Sequence, residues 1–200
     1  MPIARTHYPY ALEQLYADQS ADIVCDTIPA VLAWVPGATE ARARQPFAFD
    51  IEHVTRSKLS GKLVLTWSLA ALAARDPRVE ERARRLGEGR SPHREHVTEV
   101  AAYGLALVAI SVLLPGRRVV AWNRWSAPDM LFDETPGALR GVEVAGRSQG
   151  GWGALQVVCD GNKTSPGKRA ALRDSADVAE AHLSLWCARP RVSMMVQVKP

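Results

Sequence analysis

Two short apolar stretches carry the most informative carboxylates of this chain: residues 128–132 read Pro-Asp-Met-Leu-Phe, and residues 141–145 read Gly-Val-Glu-Val-Ala. A Thr-Pro-Gly turn at residues 135–137 separates them, which predicts two neighbouring β-strands joined by a hairpin-length connection. Acidic side chains are rarely buried in such strands unless they are paired, hydrogen-bonded or bound to a metal. Asp129 and Glu143 therefore indicate a divalent-cation site, since such cations prefer carboxylate oxygens.

The elements around these stretches predict an α/β fold. A Ser-Pro pair at residues 91–92 is typical of a helix start, and the helix is expected to continue to the Pro-Gly break at residues 115–116. Beyond it we expect strands at 118–125, 129–133 and 139–145, a basic helix at 166–174, and strands at 182–187 and 192–198. This order, α-β-β-β-α-β with a terminal strand, predicts a mixed sheet flanked by helices.

The first 90 residues are predicted to form a mainly helical N-terminal extension or subdomain. Apolar residues recur at helical spacing over residues 10–18, 22–34 and 62–75, and an arginine-rich helix is expected after Asp76-Pro77. Residues 45–55 alternate well enough to be a strand. Gly87 to Arg90 is interpreted as a linker, which divides the chain into parts 1–90 and 91–200.

Composition favours a cytoplasmic protein without a membrane segment. The chain has 200 residues, a formal net charge of +4 and three cysteines. The longest apolar run, residues 103–114, is too short to span a bilayer, and no signal-peptide pattern precedes it. The odd number of cysteines lacks metal-type spacing, as expected for reduced thiols. The mild positive charge weakly favours an anionic partner.

Residues 91–190 resemble the PD-(D/E)XK nuclease superfamily. The resemblance rests on Pro128-Asp129 at the second strand, Glu143 at the third, an acidic residue in the preceding helix, and the following helix and strand. It implies a restriction-endonuclease-like core and a Mg²⁺-dependent nuclease, with Mn²⁺ as an alternative ion. Asp129, Glu143 and the backbone carbonyl of Val144 would bind the metal, with Glu99 as an auxiliary acidic ligand. A metal-activated water would then hydrolyse phosphodiester bonds, with DNA as the favoured substrate.

The sequence departs from the family pattern at Ala145, where such nucleases carry a lysine that orients water and offsets developing charge. On a strand, residues 143, 145 and 147 point to the same face. Arg147 could therefore supply a positive charge to the site, although arginine cannot act as a base. Gln149 is a second candidate, because its amide could position a water molecule.

Several basic residues are candidates for nucleic-acid binding. Arg147 lies in a glycine-rich stretch, residues 146–153, which is expected to be a flexible loop whose backbone could approach phosphates closely. Positive charges follow at Lys163, Lys168, Arg169 and Arg173. The stretch lacks the Gly-Lys-Ser/Thr ending of a phosphate-binding P-loop. Two active sites are usually needed to cut both strands of a duplex, which is compatible with a homodimer, and the N-terminal part could instead dock a protein partner.

Other interpretations of the same residues stay open. The main alternative is a catalytically inactive nuclease-like protein that acts as a binding or assembly subunit. Asp129 could be a turn residue, and Glu143 could be exposed on an edge strand. His93, His96 and Glu99 are three residues apart and could form a different metal site. A small-molecule enzyme using the cysteines and histidines has no ordered set of residues to support it, and Trp122 and Trp125 could pack in the core or stack on bases.

Overall fold

The computed structural model of the chain describes residues 6–35, 37–40, 44–88, 94–123 and 126–200. Seven α-helices and ten strands occur in these ranges, together with one 3₁₀ turn at Leu12–Gln14. In chain order they are β1 (Thr6–Ala11), α1 (Leu15–Asp18), α2 (Ala21–Trp34), β2 (Phe47–Val54), β3 (Lys58–Thr66), α3 (Leu69–Ala73), α4 (Val79–Gly87), α5 (Arg94–Leu113), β4 (Ala121–Trp122), β5 (Met130–Asp133), β6 (Leu139–Arg147), α6 (Gly151–Asp160), β7 (Gly161–Asn162), β8 (Ser165–Pro166), α7 (Lys168–Asp174), β9 (Val178–Cys187) and β10 (Val192–Lys199).

An eight-stranded mixed sheet runs through the molecule in the order β1-β3-β2-β10-β9-β6-β5-β4. The pairs β1–β3, β2–β10 and β6–β9 are parallel, and the other neighbours are antiparallel. Strand β9 lies near the centre and is buried along most of its length, as expected for a strand covered on both faces. The prediction of an α/β protein with a mixed sheet and flanking helices is confirmed.

Helices cover both faces of the sheet and form two apolar clusters. On one face, α2 and α5 pack against inward residues such as Phe49, Val144 and Trp186. On the other face, Leu155 of α6 and Leu172 of α7 pack against Leu183 and neighbouring residues. Alternate residues of β9 thus belong to different clusters, which follows from the two-residue period of a strand.

Helix α5 is the main packing element of the first face. Its residues from Ala101 to Ile110 are buried except for the half-buried Tyr103, as expected for a helix that is apolar on all sides. Among the described residues, Glu95–Leu113 is the one helical stretch long and apolar enough to cross a membrane. Since it packs against α2 and the sheet, this helix is compatible with a soluble protein.

The N-terminal part differs from the mainly helical region that the sequence predicts. Residues 62–75 were expected to form one helix, but β3 continues to Thr66 and only the short α3 follows. The strand expected at residues 45–55 is present as β2. Strands β1, β2 and β3 extend the sheet through the β2–β10 pairing. The wrong prediction arose because β3 and α3 together present apolar residues at mixed spacing.

Two further predictions differ in the second half of the chain. The glycine-rich stretch was expected to be a flexible loop, but α6 begins at Gly151, after Gly150 with a φ of 113°. The strand expected at residues 118–125 is reduced to β4. The helix start at residues 91–92 and Trp125 lie outside the described residues. Two helices, α6 and α7, therefore connect β6 to its parallel neighbour β9, where one was predicted.

Candidate active site

The two carboxylates of the opening stretches lie side by side. Strands β5 and β6 pair antiparallel, with Met130 opposite Val142. Asp129 immediately precedes Met130 and Glu143 immediately follows Val142, so the two acids lie at the same end of this pair. The backbone N–H of Val144 donates a hydrogen bond to Asp129 Oδ2 at 2.7 Å. This bond orients the Asp129 carboxylate towards β6 and ties it to the residue that follows Glu143.

Glu143 is buried, with 7% of its surface exposed. Its Oε1 accepts a hydrogen bond from Lys168 Nζ, whereas Oε2 accepts none from the residues that the structure describes. A buried carboxylate oxygen without a donor is costly. The edge-strand interpretation of Glu143 is therefore wrong, because β6 lies between β5 and β9 and the side chain is enclosed.

The proximity of the two acids changes the protonation of Asp129. Burial, and then the negative charge of Glu143, raise the pKa of Asp129 to about 6, while the Val144 N–H and the Lys168 ammonium act in the opposite direction. When Asp129 is protonated it can share its proton with Glu143. When both are ionised, the repulsion between them favours a bound cation.

Lys168 is the basic group of this site, whereas a different role was predicted for it from the sequence. It was expected to follow nucleic-acid phosphates on a basic helix, and the predicted helix is present as α7. Its ammonium group pairs with Glu143, although 25 residues separate the two in sequence. No local pattern could have signalled this contact, because it depends on how α7 folds back over β6.

Helix α5 brings two more polar groups to the carboxylates. Gly146 lets this helix approach β6 closely, since a Cβ atom there would lie 2.7 Å from the carbonyl oxygen of Thr98. The hydroxyl of Tyr103 donates a long hydrogen bond, 3.4 Å, to Glu99. Burial raises the pKa of Tyr103, and the negative charges of Asp129, Glu99 and Glu143 raise it further. The predicted auxiliary acid, Glu99, is thus near the pair, although it is exposed.

A cavity of about 820 Å³ opens next to Asp129. Glu99, Tyr103 and Trp122 line it on the side of α5 and β4, and Arg82 and Arg85 line it from α4. The N-terminal part therefore forms one wall of the space in front of the carboxylates. His96 also lines the cavity, but its predicted companion His93 lies outside the described residues, so the alternative metal site stays untested.

The substitutes expected for the missing lysine lie further from the pair. Arg147 is at the end of β6 and Gln149 follows it, and both are exposed. Neither makes a hydrogen bond or ion pair with Asp129 or Glu143 among the described residues. Val144, the predicted carbonyl ligand, is buried in β6, and its known role here is the N–H bond to Asp129.

The remaining basic candidates have local carboxylate partners or face solvent. Arg169 contacts Asp160 at 3.2 Å, and Arg173 contacts its neighbour Asp174 at 2.9 Å. Lys163 is exposed in the turn between β7 and β8. Exposed pairs of this kind are weak, so they leave Arg169 and Arg173 available to an anionic partner.

The sequence did not predict a second polar cluster on the α5 face of the sheet. Buried Glu180 accepts a hydrogen bond from Arg117 at 2.6 Å and lies 3.1 Å from His182 Nε2. Burial lowers the pKa of His182, although the Glu180 carboxylate opposes this shift. The cluster ties the connection after α5 to the central strand β9, which is a structural role.

The cysteines have the environment of packing residues. Cys159 is buried, and this burial, assisted by Asp160, raises the pKa of its thiol to about 11. Cys187 Sγ accepts a hydrogen bond from the N–H of Gly151 and donates one to the carbonyl of Arg189. Cys159 therefore does not resemble an activated nucleophile, which requires a lowered pKa or an adjacent base.

The donor set at the carboxylate pair fits a magnesium ion better than a zinc ion. Among the described residues, no three His, Cys, Asp or Glu side chains form a group that could hold a metal, as structural and catalytic zinc sites generally require. Mg²⁺ is commonly held by one or two carboxylates, with waters and substrate phosphates completing its shell. Asp129 and Glu143, whose Oε2 has no hydrogen-bond partner among the described residues, could supply these one or two carboxylate ligands.

Comparisons with known proteins leave the family open. No protein-family model, no curated protein and no solved structure matches this chain.

Proposed function

We propose that this protein is a Mg²⁺-dependent nuclease with a restriction-endonuclease-like core, which hydrolyses phosphodiester bonds of DNA. One observation carries the proposal: Asp129, which lines the cavity, lies beside the buried Glu143, and Glu143 pairs with Lys168. Two acids and a lysine are the groups expected of a PD-(D/E)XK site. Here Lys168 of α7 would take the role of the lysine that Ala145 lacks.

The order of the elements supports the same proposal. Helix α5 precedes the antiparallel strands β4, β5 and β6, and the chain then crosses through α6 and α7 to the parallel strand β9. This matches the α-β-β-β-α-β order that the resemblance implies, with one helix added. Asp129 immediately precedes the second strand of that series and Glu143 lies on the third, which are the positions of the two acids in the motif.

Each side chain has a defined part in the proposed reaction. Asp129 and Glu143 would bind Mg²⁺, which when bound supplies polarisation of the phosphate and a water molecule of lowered pKa. The ammonium of Lys168 has three donors on a flexible stem. It can donate to Glu143 and to a phosphate oxygen together, which would offset the negative charge that develops during hydrolysis.

The direct test is cleavage of linear, circular and single-stranded DNA by the purified protein with Mg²⁺ or Mn²⁺. We expect cleavage that EDTA prevents and that Glu143→Gln abolishes. Glu134→Gln is the matched control, since Glu134 is an exposed acid in the turn between the same two strands, and it should cleave at the parental rate. Cleavage that survives in a folded Glu143→Gln protein would refute the assignment.

A second candidate function is a catalytically inactive nuclease-like subunit, and the Lys168–Glu143 pair favours it. This pair partly neutralises Glu143 without any metal, so it could be purely structural. Lys168→Ala separates the two functions. If the protein is an enzyme, we expect Lys168→Ala to lower the cleavage rate by about 10²–10³-fold. The rise in melting temperature on addition of metal should increase, because the Lys168 ammonium no longer competes with the metal for Glu143. For a scaffold, Mg²⁺ should not change the melting temperature of either protein.

A further inference from the structure

The cavity beside Asp129 has two walls, which are formed by different parts of the chain. Helix α5 and strand β4 form one wall, and α2 with α4, from the N-terminal part, forms the other. Its volume of about 820 Å³ lies within the roughly 300–1,000 Å³ of clefts that enclose small ligands. The cavity has room for a few nucleotides of one strand.

Charged side chains line both walls of the cavity. Glu99 and Asp129 lie at the sheet end, and Arg82 and Arg85 lie on α4. The acidic Asp26 of α2 also lines the cavity and lies 3.9 Å from Arg82, so among the described residues Arg85 is the arginine without a second acid from α2. Arg82 is held in place by the carbonyl of Cys25 at 3.0 Å and by Asp76 at 3.4 Å. An anionic chain would therefore meet arginine at one end of the cavity and would need a cation at the other.

Arg85 is the arginine with the greater freedom to bind a ligand. Its guanidinium lies 3.8 Å from Glu81, and the two side chains are 64% and 61% exposed. Such an exposed pair contributes little free energy, so a phosphate can replace it. The planar guanidinium group suits bidentate recognition of phosphate oxygens.

Two aromatic side chains line the same cavity next to the carboxylates. Tyr103 and Trp122 meet edge to face, with ring centroids 5.1 Å apart, and both are half-buried. Proteins that bind single strands combine aromatic side chains, on which bases stack, with basic groups along the backbone. Paired bases within a duplex cannot stack in this way.

We propose that this cavity binds an unpaired nucleic-acid strand. A base stacks on the Tyr103–Trp122 pair, and a neighbouring phosphate binds Arg85. The inference rests on the proposed function for one point, that the strand leads to the scissile position at Asp129 and Glu143. It assigns the N-terminal part a role in binding the substrate.

Binding can be measured apart from cleavage in the Glu143→Gln background. The probes are a fluorescent twelve-nucleotide oligo(dT), its oligo(rU) counterpart and a hairpin duplex of the same length, with fluorescence anisotropy as the readout. We expect at least one of the two single strands to bind about tenfold more tightly than the hairpin. Arg85→Ala should weaken this binding several-fold and reduce its dependence on log salt by about one unit.

Arg84→Ala is the matched control, because Arg84 immediately precedes Arg85 on the same helix and does not line the cavity. Its guanidinium pairs with Glu88 at 2.8 Å. It should change binding by less than twofold. Trp122→Leu keeps an apolar contact with Tyr103 while removing the aromatic face, and it should weaken binding about tenfold. Unchanged melting temperatures would confirm that the variants remain folded.

The outcomes separate this inference from the nuclease proposal. Equal losses in Arg84→Ala and Arg85→Ala, or a hairpin bound as tightly as both single strands, would overturn the inference even if the protein cleaves DNA. Preferential single-strand binding that depends on Arg85 and Trp122 would support it even if no cleavage is found, and the nuclease proposal alone would then fail.

Discussion

At the residue scale, the most unusual feature of the site is that burial and the negative charge of Glu143 together destabilise the ionised form of Asp129. Its pKa of about 6, against an ordinary value of 3.8, means that the folded state binds the proton more tightly than the unfolded state does. Stability therefore falls as the pH rises from about 4 to 6. Above this range the folded protein keeps the repulsion between Asp129 and Glu143, which is the arrangement that a cation would relieve.

Asp129→Asn should accordingly stabilise the metal-free protein. The asparagine carbonyl can still accept the hydrogen bond from the Val144 N–H, while the repulsion is removed. We expect a gain on the order of 1–2 kcal/mol above pH 7 that shrinks towards pH 4, measured as the difference in melting temperature in EDTA. Asp174→Asn, which changes an exposed acid, should give no gain. A variant no more stable than the parent at pH 8 would contradict the electrostatic coupling.

At the element scale, the site depends on the close approach of α5 to β6. Gly146 has no side chain at the contact, and α5 carries Glu99 and Tyr103 to the carboxylates there. A methyl group would meet the backbone oxygen of Thr98, which cannot rotate away. The helix and the strand would have to separate.

Gly146→Ala should therefore destabilise the protein by about 1–3 kcal/mol, the usual effect of overpacking, and should also reduce DNA cleavage because Glu99 and Tyr103 move away. Gly153→Ala is the control, since a Cβ at Gly153 has no atom within 4 Å. Within helix α6 it should stabilise by up to about 1 kcal/mol. Thermal unfolding of the two variants and the parent measures both changes in stability. A Gly146→Ala protein as stable as the parent would show that the contact is loose.

The elements also show where sequence patterns succeed. The helix over residues 94–113 follows from its proline and glycine boundaries and its long apolar run. The strands around Asp129 and Glu143 follow from short apolar runs on either side of a Thr-Pro-Gly turn. Helix α6 was missed because three glycines at its start and before it indicate a loop, although Leu155 and Cys159 bury one face of a helix there. Tertiary burial outweighed the low helix propensity of glycine.

At the scale of the whole molecule, a single sheet joins the two parts, residues 1–90 and 91–200, into which the chain was predicted to divide. Strand β2 pairs with β10 over residues 50–54 and 192–196, and α2 packs along α5. One apolar cluster contains residues from both parts, including Val31, Phe49 and Trp186.

A fragment comprising residues 91–200 should therefore fail to fold by itself. It would expose the edge of β10 and the buried surface of α5, which favours aggregation. We expect no cooperative thermal transition and no near-ultraviolet circular dichroism signal, in contrast to the full chain. Addition of the fragment 1–90 should restore both signals. A sharp transition of the 91–200 fragment alone would instead support two independent domains.

The sequence by itself determined the α/β class, the strands of the second half and the two carboxylates, because these depend on local periodicity, turn residues and the rarity of acids in apolar strands. Only the tertiary structure decided that Lys168 contacts Glu143, that strands from the first 90 residues extend the same sheet, and that Arg82 and Arg85 line the same cavity as Asp129. These contacts join residues that are far apart in the chain. A local sequence pattern depends only on neighbouring residues, so it cannot predict the packing that brings distant residues together.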